Sequence, residues 1–510
     1  LLDGLIVQTV AAAHADAGTI YLMDDDGKEL VPSAWQNVNL DRLLTEPPPV
    51  AVEDGESGHP LRDACREKSM LIGQLSAVGM PAGLGWLAAR FPGQSVSFLA
   101  VPLSNRENRT IGVLFLAKSA VETAFSSEQA AFVNALSGTL AVAIDNQRLM
   151  RAQKALLDAV IRVVAGAIDA KSPYTGGHCQ RVPELTLMLA EAACRSDSRP
   201  FHDFKMDEDE WETLSIAAWL HDCGKLTTPE YVVDKATKLE TLFDRIHEIR
   251  MRFEVLKRDA EIACLRGVAE GGERAALEAA MHAELAALDD DFAFVAACNI
   301  GGEALPDGAE ERLHRIAART WQRTLDDRIG ISQIEKRRKE RLPEPVLPVV
   351  EPLIADREDH RIDHQTAGPL PADIKVTAPT YRLDLGELHC LSVNRGTLTA
   401  EERFLINNHI VQTIIMLRGL PFPEYLKDVP DIAGNHHEHL DGTGYPRGLE
   451  AAAMIPQARM MAIADIFEAL TASDRPYKLG KPLSEAVTLL AGYVRMGHLD
   501  RDLFELFLRE

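Results

Sequence analysis

Short apolar runs alternate with polar turns over the first third of the chain. Residues 19–23, Thr-Ile-Tyr-Leu-Met, run into Asp24-Asp25-Asp26-Gly27, the pattern of a strand entering a turn. Residues 98–103 and 111–117 read as two more strands, joined across the polar residues 104–110 as in a hairpin. A helix opens near Ser126, where Ser-Ser-Glu-Gln fits a capping box, and runs on past residue 165. Val142, Leu149, Leu156 and Val163 recur along it every seven residues. That spacing predicts a coiled-coil seam or, for the first half, a helix packed on its own domain. From about residue 155 the pattern is almost all helical. Residues 259–342 are charged and Ala-rich with helical periodicity. Pro343, Pro345, Pro348 and Pro352 then break the pattern, and a loop-like region extends to about Pro379.

Composition narrows the class. A chain of 510 residues predicts two to four domains. Hydrophobic residues at 46% and charged residues at 26% are ordinary for a soluble globular protein. The net charge of −23 excludes DNA and RNA polymers as partners. It leaves room for a small dinucleotide, because bound metals and a few cations can dominate one site. Seven scattered cysteines without a Cys-x-x-Cys argue against a disulfide framework and fit a reducing cytoplasm. There is no membrane-spanning run; residues 74–89 come nearest but are too short and contain Pro81. Leu1 begins with helix already under way, which predicts a truncated chain with sensor or membrane segments upstream.

Five segments carry the candidate chemistry. They are "PYTGGHCQRV" with His178, "HDCGK" with His221, Asp222 and Lys225, "GTLTAEERFLINNHI" with His409, "HHEHLDGTGYPRGL" with His436 and His437, and "IADIFEALTASDRPYK" with Asp465, Arg475 and Lys478. Two divalent metals need imidazole and carboxylate ligands, and a carboxylate can bridge two ions. His221 and Asp222, adjacent at a helix end, can serve both. A water between such ions is acidified, and the ions neutralise a phosphate. Lys225, one turn on, reaches a phosphate oxygen as a point charge. Alone, a His-Asp pair, a His-His pair or "DGTGYP" is common decoration or a turn; the order of all five makes the case. His14 and His59 read as solvent-facing or loop residues. Within residues 240–396, His282, His314, His360 and His364 lack a set of partners; the last two have metal-binding spacing but no third ligand nearby.

Two resemblances follow from these motifs. Residues 1–150, with "TIYLMDDDG", "FLAVPLSNRENRTIGVLFLA" and "AVAIDNQRLM", resemble a GAF domain. That implies an α/β sensory or dimerisation module; no signature of its small-molecule ligand is found. A connecting helix over residues 126–168 follows. Residues 155–240 and 380–510 resemble the HD-GYP family, a branch of the HD phosphohydrolases, through His221-Asp222 and Gly444-Tyr445-Pro446. The expectation is thus a multidomain chain: a GAF domain, then an all-α HD-GYP bundle over 155–510 carrying a mostly helical insertion at 240–396.

The HD-GYP resemblance implies a site of two or three metals, usually iron or manganese. It also implies hydrolysis of cyclic di-GMP to linear pGpG, sometimes on to GMP. Position by position, it assigns His178, His221, Asp222, His409, His436, His437 and Asp465 as metal ligands, with Asp222 bridging. Asp222 and Lys225 fall at catalytic positions, and Lys225, Arg475 and Lys478 at substrate-contacting ones. Tyr445 has a structural, substrate-facing or partner-facing role, the partner then being a diguanylate cyclase. Three-metal members carry Glu four residues before the first-motif His; here that position is Tyr174, so two divalent transition metals are expected. The insertion creates a rival for the third-motif His. His247 follows Leu239 by eight residues and His409 follows Leu398 by eleven, about three helical turns, which favours His409. His389, His439 and His498 receive no metal role. The expected protein is a GAF-regulated, homodimeric cyclic di-GMP phosphodiesterase. The alternatives are an HD phosphohydrolase for another cyclic dinucleotide or nucleotide, and a catalytically silent cyclic di-GMP receptor.

Overall fold

The computed structural model describes every residue except 1, 25, 38–45, 54–57, 77, 120–123, 172–176, 198, 303, 365–369, 473–479 and 510. The chain divides into two compact units, Leu1–Asp158 and Ala159–Glu510.

The first unit is built on one antiparallel sheet. After α1 (Leu2–Ala12) come β1 (Ala17–Met23), β2 (Glu29–Asn37), β3 (Val50–Ala51), α2 (Pro60–Glu67), β4 (Leu71–Leu75), α3 (Trp86–Arg90), β5 (Val96–Ser104) and β6 (Thr110–Ser119). The strand order is β3-β2-β1-β6-β5-β4. Alternation sends Ile20, Leu99, Val101, Leu114 and Leu116 into one core and Tyr21, Phe98, Ala100, Val113 and Phe115 into another. The β5–β6 hairpin forms where the polar run between the apolar stretches predicts it. Helix α4 (Ser127–Lys171) is one 45-residue element. Its Ala130, Val133, Leu140, Ala141 and Ile144 join the first core, which is the domain-packed reading of its first half.

The second unit begins with the end of α4. Ile161, Ala165 and Ile168 pack with α5 (His178–Arg195) and α6 (Glu208–Leu220). Then come α7 (Glu230–Val233), α8 (Ile246–Ala269), α9 (Arg274–Asn299), α10 (Ala309–Ala317), β7 (Thr320–Arg323), α11 (Gln333–Lys339), β8 (Val349–Pro352), β9 (Arg361–Ile362), β10 (Leu383–Asp384) and α12 (Glu387–Leu391). The chain ends through α13 (Ala400–Arg418), α14 (Val429–Gly434), α15 (Pro456–Thr471), α16 (Leu483–Arg495) and α17 (Arg501–Phe507). One core unites α5, α6 and α14–α17. A separate core of Leu239, Phe253, Val295, Leu313, Leu353 and Leu391 serves the segment expected as an insertion.

That segment departs from its periodicity in one respect. Helix ends at Ala317, and β7 and β8 then pair, Trp321 opposite Glu351; β9 and β10 form a second two-stranded pair. Four-residue strands carry almost no pattern of their own. Long-range contacts, such as Arg323 to Glu351 at 2.9 Å, hold them. All seven cysteines are free. No helix among the described residues is long and apolar enough to cross a membrane.

Candidate metal centre

Helix ends and close backbone contacts assemble the site. α6 opens on a capping box between Asp207 and Glu210, and His221 falls at its C-terminus, followed by Asp222 and a 3-10 turn, Cys223–Thr227. Gly224 lies hard against α13: a Cβ there would stand 1.9 Å from the His409 carbonyl oxygen. The Gly224 N–H donates to Thr413 Oγ1 at 2.9 Å, and that hydroxyl donates to the His221 carbonyl at 3.2 Å. α13 starts at a second capping box, between Thr399 and Glu402. Glu402 is also locked in a buried pair with Lys235 at 2.7 Å. His436 and His437 follow α14 directly, Asp465 sits in the middle of α15, and His178 opens α5.

Three of the imidazoles share one arrangement. Nδ1 of His221, His409 and His436 lies 2.7, 2.5 and 2.6 Å from the carbonyl oxygens of Ala218, Ile406 and Ala433, respectively, each three residues back. Their Nε2 atoms are buried with no hydrogen-bond partner. A donating Nδ1–H sets the tautomer that leaves an Nε2 lone pair, the state a metal requires. These orphaned nitrogens face carboxylates. Asp222 Oδ1 lies 3.2 Å from His409 Nε2, while Oδ2 lies 3.1 Å from His178 Nε2 and 3.3 Å from His221 Nε2. Asp465 Oδ1 is 3.4 Å from His178 Nε2 and 3.9 Å from His221 Nε2. The ligand atoms form two groups, His409/His436/His437 and His178/His221/Asp222, each within 4.8 Å. Asp222 therefore turns one oxygen to each side. The donor set is imidazole and carboxylate, which suits two divalent transition ions.

For His436, His437 and Asp222 the electrostatics have the same sense, and for His178 the opposite one. Burial, and after it the neighbouring His221, pushes His436 down to about 4, and burial with His436 beside it holds His437 well below the ordinary range. Both imidazoles are therefore neutral donors. Burial opposes ionisation of Asp222, but Lys225 and His221 outweigh it and hold the carboxyl well below its usual value. Lys225 Nζ donates to Asp222 Oδ2 at 2.5 Å. Burial works against charge on His178 too, yet Asp222 and Glu468 raise it to about 9.

The structure thus brings His178, His221, Asp222, Lys225, His409, His436, His437 and Asp465 together. Tyr445 joins them, its ring stacked on His437 with centroids 5.0 Å apart. Arg475, Lys478 and Tyr174 lie outside the described residues. His247 is exposed on α8 and contacts Arg250, away from the cluster. His364 Nε2 contacts the Pro379 carbonyl oxygen, and His389 sits 3.2 Å from Glu401. His439 and His498, expected to have no metal role, stack face to face at 3.9 Å beside Asp441 and form a third, half-exposed group of candidate ligands.

Two features have no counterpart in that reading. Glu468 holds His178 Nδ1 and is held in turn by Arg181; it lies one helical turn after Asp465, the spacing that marks a shared face. A groove of about 580 Å³ beside Tyr445 is lined by Arg395, Arg403, Phe404 and Asn407, and by Val376 and Thr377. Arg403 and Asn407, four apart on α13, are its recoverable signal.

Comparison with known proteins agrees with this architecture. The GAF domain family matches residues 2–145, and the HD domain family matches residues 348–503. The HD match takes in His409, His436, His437 and Asp465 and begins after His178, His221 and Asp222. The chain carries a GAF domain followed by an HD domain. Among curated relatives, a 3'3'-cGAMP-specific phosphodiesterase of Vibrio cholerae is 38% identical over 25% of this chain and 29% of its own length. A cyclic di-GMP phosphodiesterase of Pseudomonas aeruginosa is 39% identical over 22% of this chain and 26% of its own. One from Thermotoga maritima is 36% identical over 22% and 31%. The match therefore spans under a third of each of these relatives. The second GAF domain of DevS from Mycobacterium smegmatis aligns over 30% of this chain and 95% of its own at 18% identity and a TM-score of 0.23.

Proposed function

We propose that the chain is a metal-dependent phosphodiesterase that hydrolyses cyclic di-GMP to linear pGpG, and on to GMP, under control of its GAF domain. The observation that carries this is the set of orphaned Nε2 atoms on His221, His409 and His436, gathered around an Asp222 that faces both ligand groups. His178, His221, Asp222, His409, His436, His437 and Asp465 would hold two divalent ions, of iron or manganese. Bound there, such ions supply Lewis acidity toward a phosphodiester and lower the pKa of a water. The protein's own part is positional. Asp222 spans the two ligand groups, and Lys225 presents an ammonium beside it for a phosphate oxygen. Arg403 and Asn407 offer donors along the groove to a second phosphate or a base edge, with Tyr445 as its wall on the metal side. Arg475 and Lys478 complete the substrate contacts in this reading. Hydrolysis adds water across one P–O3' bond, leaving a 5'-phosphate and a free 3'-hydroxyl.

A second substrate, 3'3'-cGAMP, has support in the name of the Vibrio relative. One experiment tests both. Chain purified anaerobically without chelator is analysed for metals, then incubated with cyclic di-GMP or 3'3'-cGAMP, and the products are separated by chromatography. About two transition ions per chain and accumulation of pGpG are expected. Metal-loaded protein that leaves both dinucleotides intact would favour a silent receptor instead.

A further inference from the structure

A cavity of about 830 Å³ lies within segment 240–396 and shares no lining residue with the metal centre or its groove. Its size is that of a small-molecule site. Glu248, Met251, Arg252 and Val255 line it from one face of α8, three and four residues apart. The β7–β8 hairpin presents Trp321, Arg323 and Glu351 from alternate positions, and α11 with the proline-rich stretch after it closes the opposite side.

The wall holds seven cationic side chains and six carboxylates in a chain that is otherwise strongly acidic. Four of the cations are neutralised. Arg252 pairs with Glu387, Arg323 with Glu351, Lys339 with Asp327, and Arg357 with Asp359. The other three have no carboxylate among the described residues. Arg245 donates to the carbonyls of Leu239 and Leu385, and Arg328 to those of Lys339, Leu342 and Pro343. Arg338 has no side-chain hydrogen bond among the described residues, and its Nε is shielded from solvent. Against these three stand Glu335, which has no ion pair among the described residues, and Glu248, which reaches only the already paired Arg252, so the wall carries one positive charge in excess. Arg338 is half-buried, with its Nε shielded and unpartnered, and a planar guanidinium fork suits phosphate. Trp321, with the Arg252 guanidinium 6.0 Å from its ring centroid, and Pro343 and Pro345 add a planar and apolar wall.

We propose that this cavity is a receptor site for a nucleoside phosphate, with Arg338 as its main phosphate contact and Trp321 as the stacking surface for the base. The site is separate from the hydrolytic centre and does not depend on the reaction proposed there.

The test titrates GTP into the full chain, followed by calorimetry and tryptophan fluorescence, with inorganic pyrophosphate as the base-free comparison. Saturable GTP binding with quenching is expected. Arg338→Gln should weaken it about tenfold, the worth of one charge-assisted contact, with an unchanged melting curve because no hydrogen bond is lost. Arg337→Gln, the same charge change on an exposed neighbour outside the wall, should leave it unaltered. Trp321→Phe should remove the quench, and Asp222→Ala should leave binding intact. Three results overturn the proposal: no saturable GTP binding at about 1 mM, binding indifferent to Arg338→Gln, or binding abolished by Asp222→Ala. Pyrophosphate binding as tightly as GTP would overturn the nucleotide assignment.

Discussion

Asp222 concentrates the chemistry in one side chain. Its two oxygens contact different histidine groups, and Lys225 is bonded to only one of them. The two residues should therefore separate in experiment. Asp222→Ala is expected to lose both metal and turnover while circular dichroism stays native. Lys225→Ala should keep its metal and lose about a hundredfold in turnover, the order of one removed electrostatic contact. Elemental analysis beside a turnover assay checks both; metal retained in Asp222→Ala would refute the bridging role. Gly224 belongs to the same logic, because a Cβ would collide with the His409 backbone and not with a movable side chain. The histidines and Asp222 were legible in sequence because each sits in a dense motif with fixed neighbours. Glu468 and the Arg403 groove were not. Glu468 lies within "IADIFEALTASDRPYK" and Arg403 within "GTLTAEERFLINNHI", but their roles depend on which helix faces which, and a motif does not carry that.

At the scale of elements, α13 shows why His409 and not His247 joins the cluster. Thr399 and Glu402 set the helix start, and three turns then carry His409 to Asp222. The Leu-Thr-x-Glu-Glu pattern made this readable, since a capping box is a local signal. The β7–β8 pair was unreadable for the opposite reason: its paired residues are 26 to 32 apart in sequence and its strands are four residues long. Glu402 also bonds Lys235, and both side chains are 1% exposed. Lys235→Met would strand a buried carboxylate, at a cost of about 3–5 kcal/mol. Urea titration should show it, with partial recovery in Lys235→Met combined with Glu402→Leu. The 240–396 segment should also be acid-sensitive. Burial opposes the charge on Glu387 and Asp359, but Arg252 and Lys339 outweigh it and hold both carboxyls below their ordinary values. Depressed folded-state values mean that the stabilisation is present at neutral pH and is lost as pH falls below 4.5, the ordinary glutamate value. Hydrogen exchange should report opening of α8 and α12 there; protection unchanged down to pH 3 would contradict it.

At the scale of the whole molecule, α4 leaves a row of apolar side chains exposed. Its early residues fill the GAF core and its last turns fill the HD core. Between them Leu149, Met150, Leu156 and Val160 are 61%, 71%, 65% and 50% exposed. Val142, Leu149, Leu156 and Val163 stand seven apart, and all are exposed. A seven-residue row on a helix of about 1.5 Å rise per residue stays on one side for several turns. A second copy of the chain brings the same row, and a two-fold arrangement lets each row cover the other. The expected state is a parallel homodimer through α4. The same helix ends on Lys171, whose Nζ donates to the carbonyls of Lys225, Leu226 and Thr228 in the turn after Asp222. The expectation is that pairing of α4 bears on the position of Lys225 through this one side chain. Light scattering at micromolar concentration should give twice the chain mass. Leu149→Lys with Leu156→Lys should give a monomer with unchanged metal content. Lys171→Gln should stay dimeric and turn over more slowly. A wild-type monomer would refute the pairing, and full activity in Lys171→Gln would refute the link.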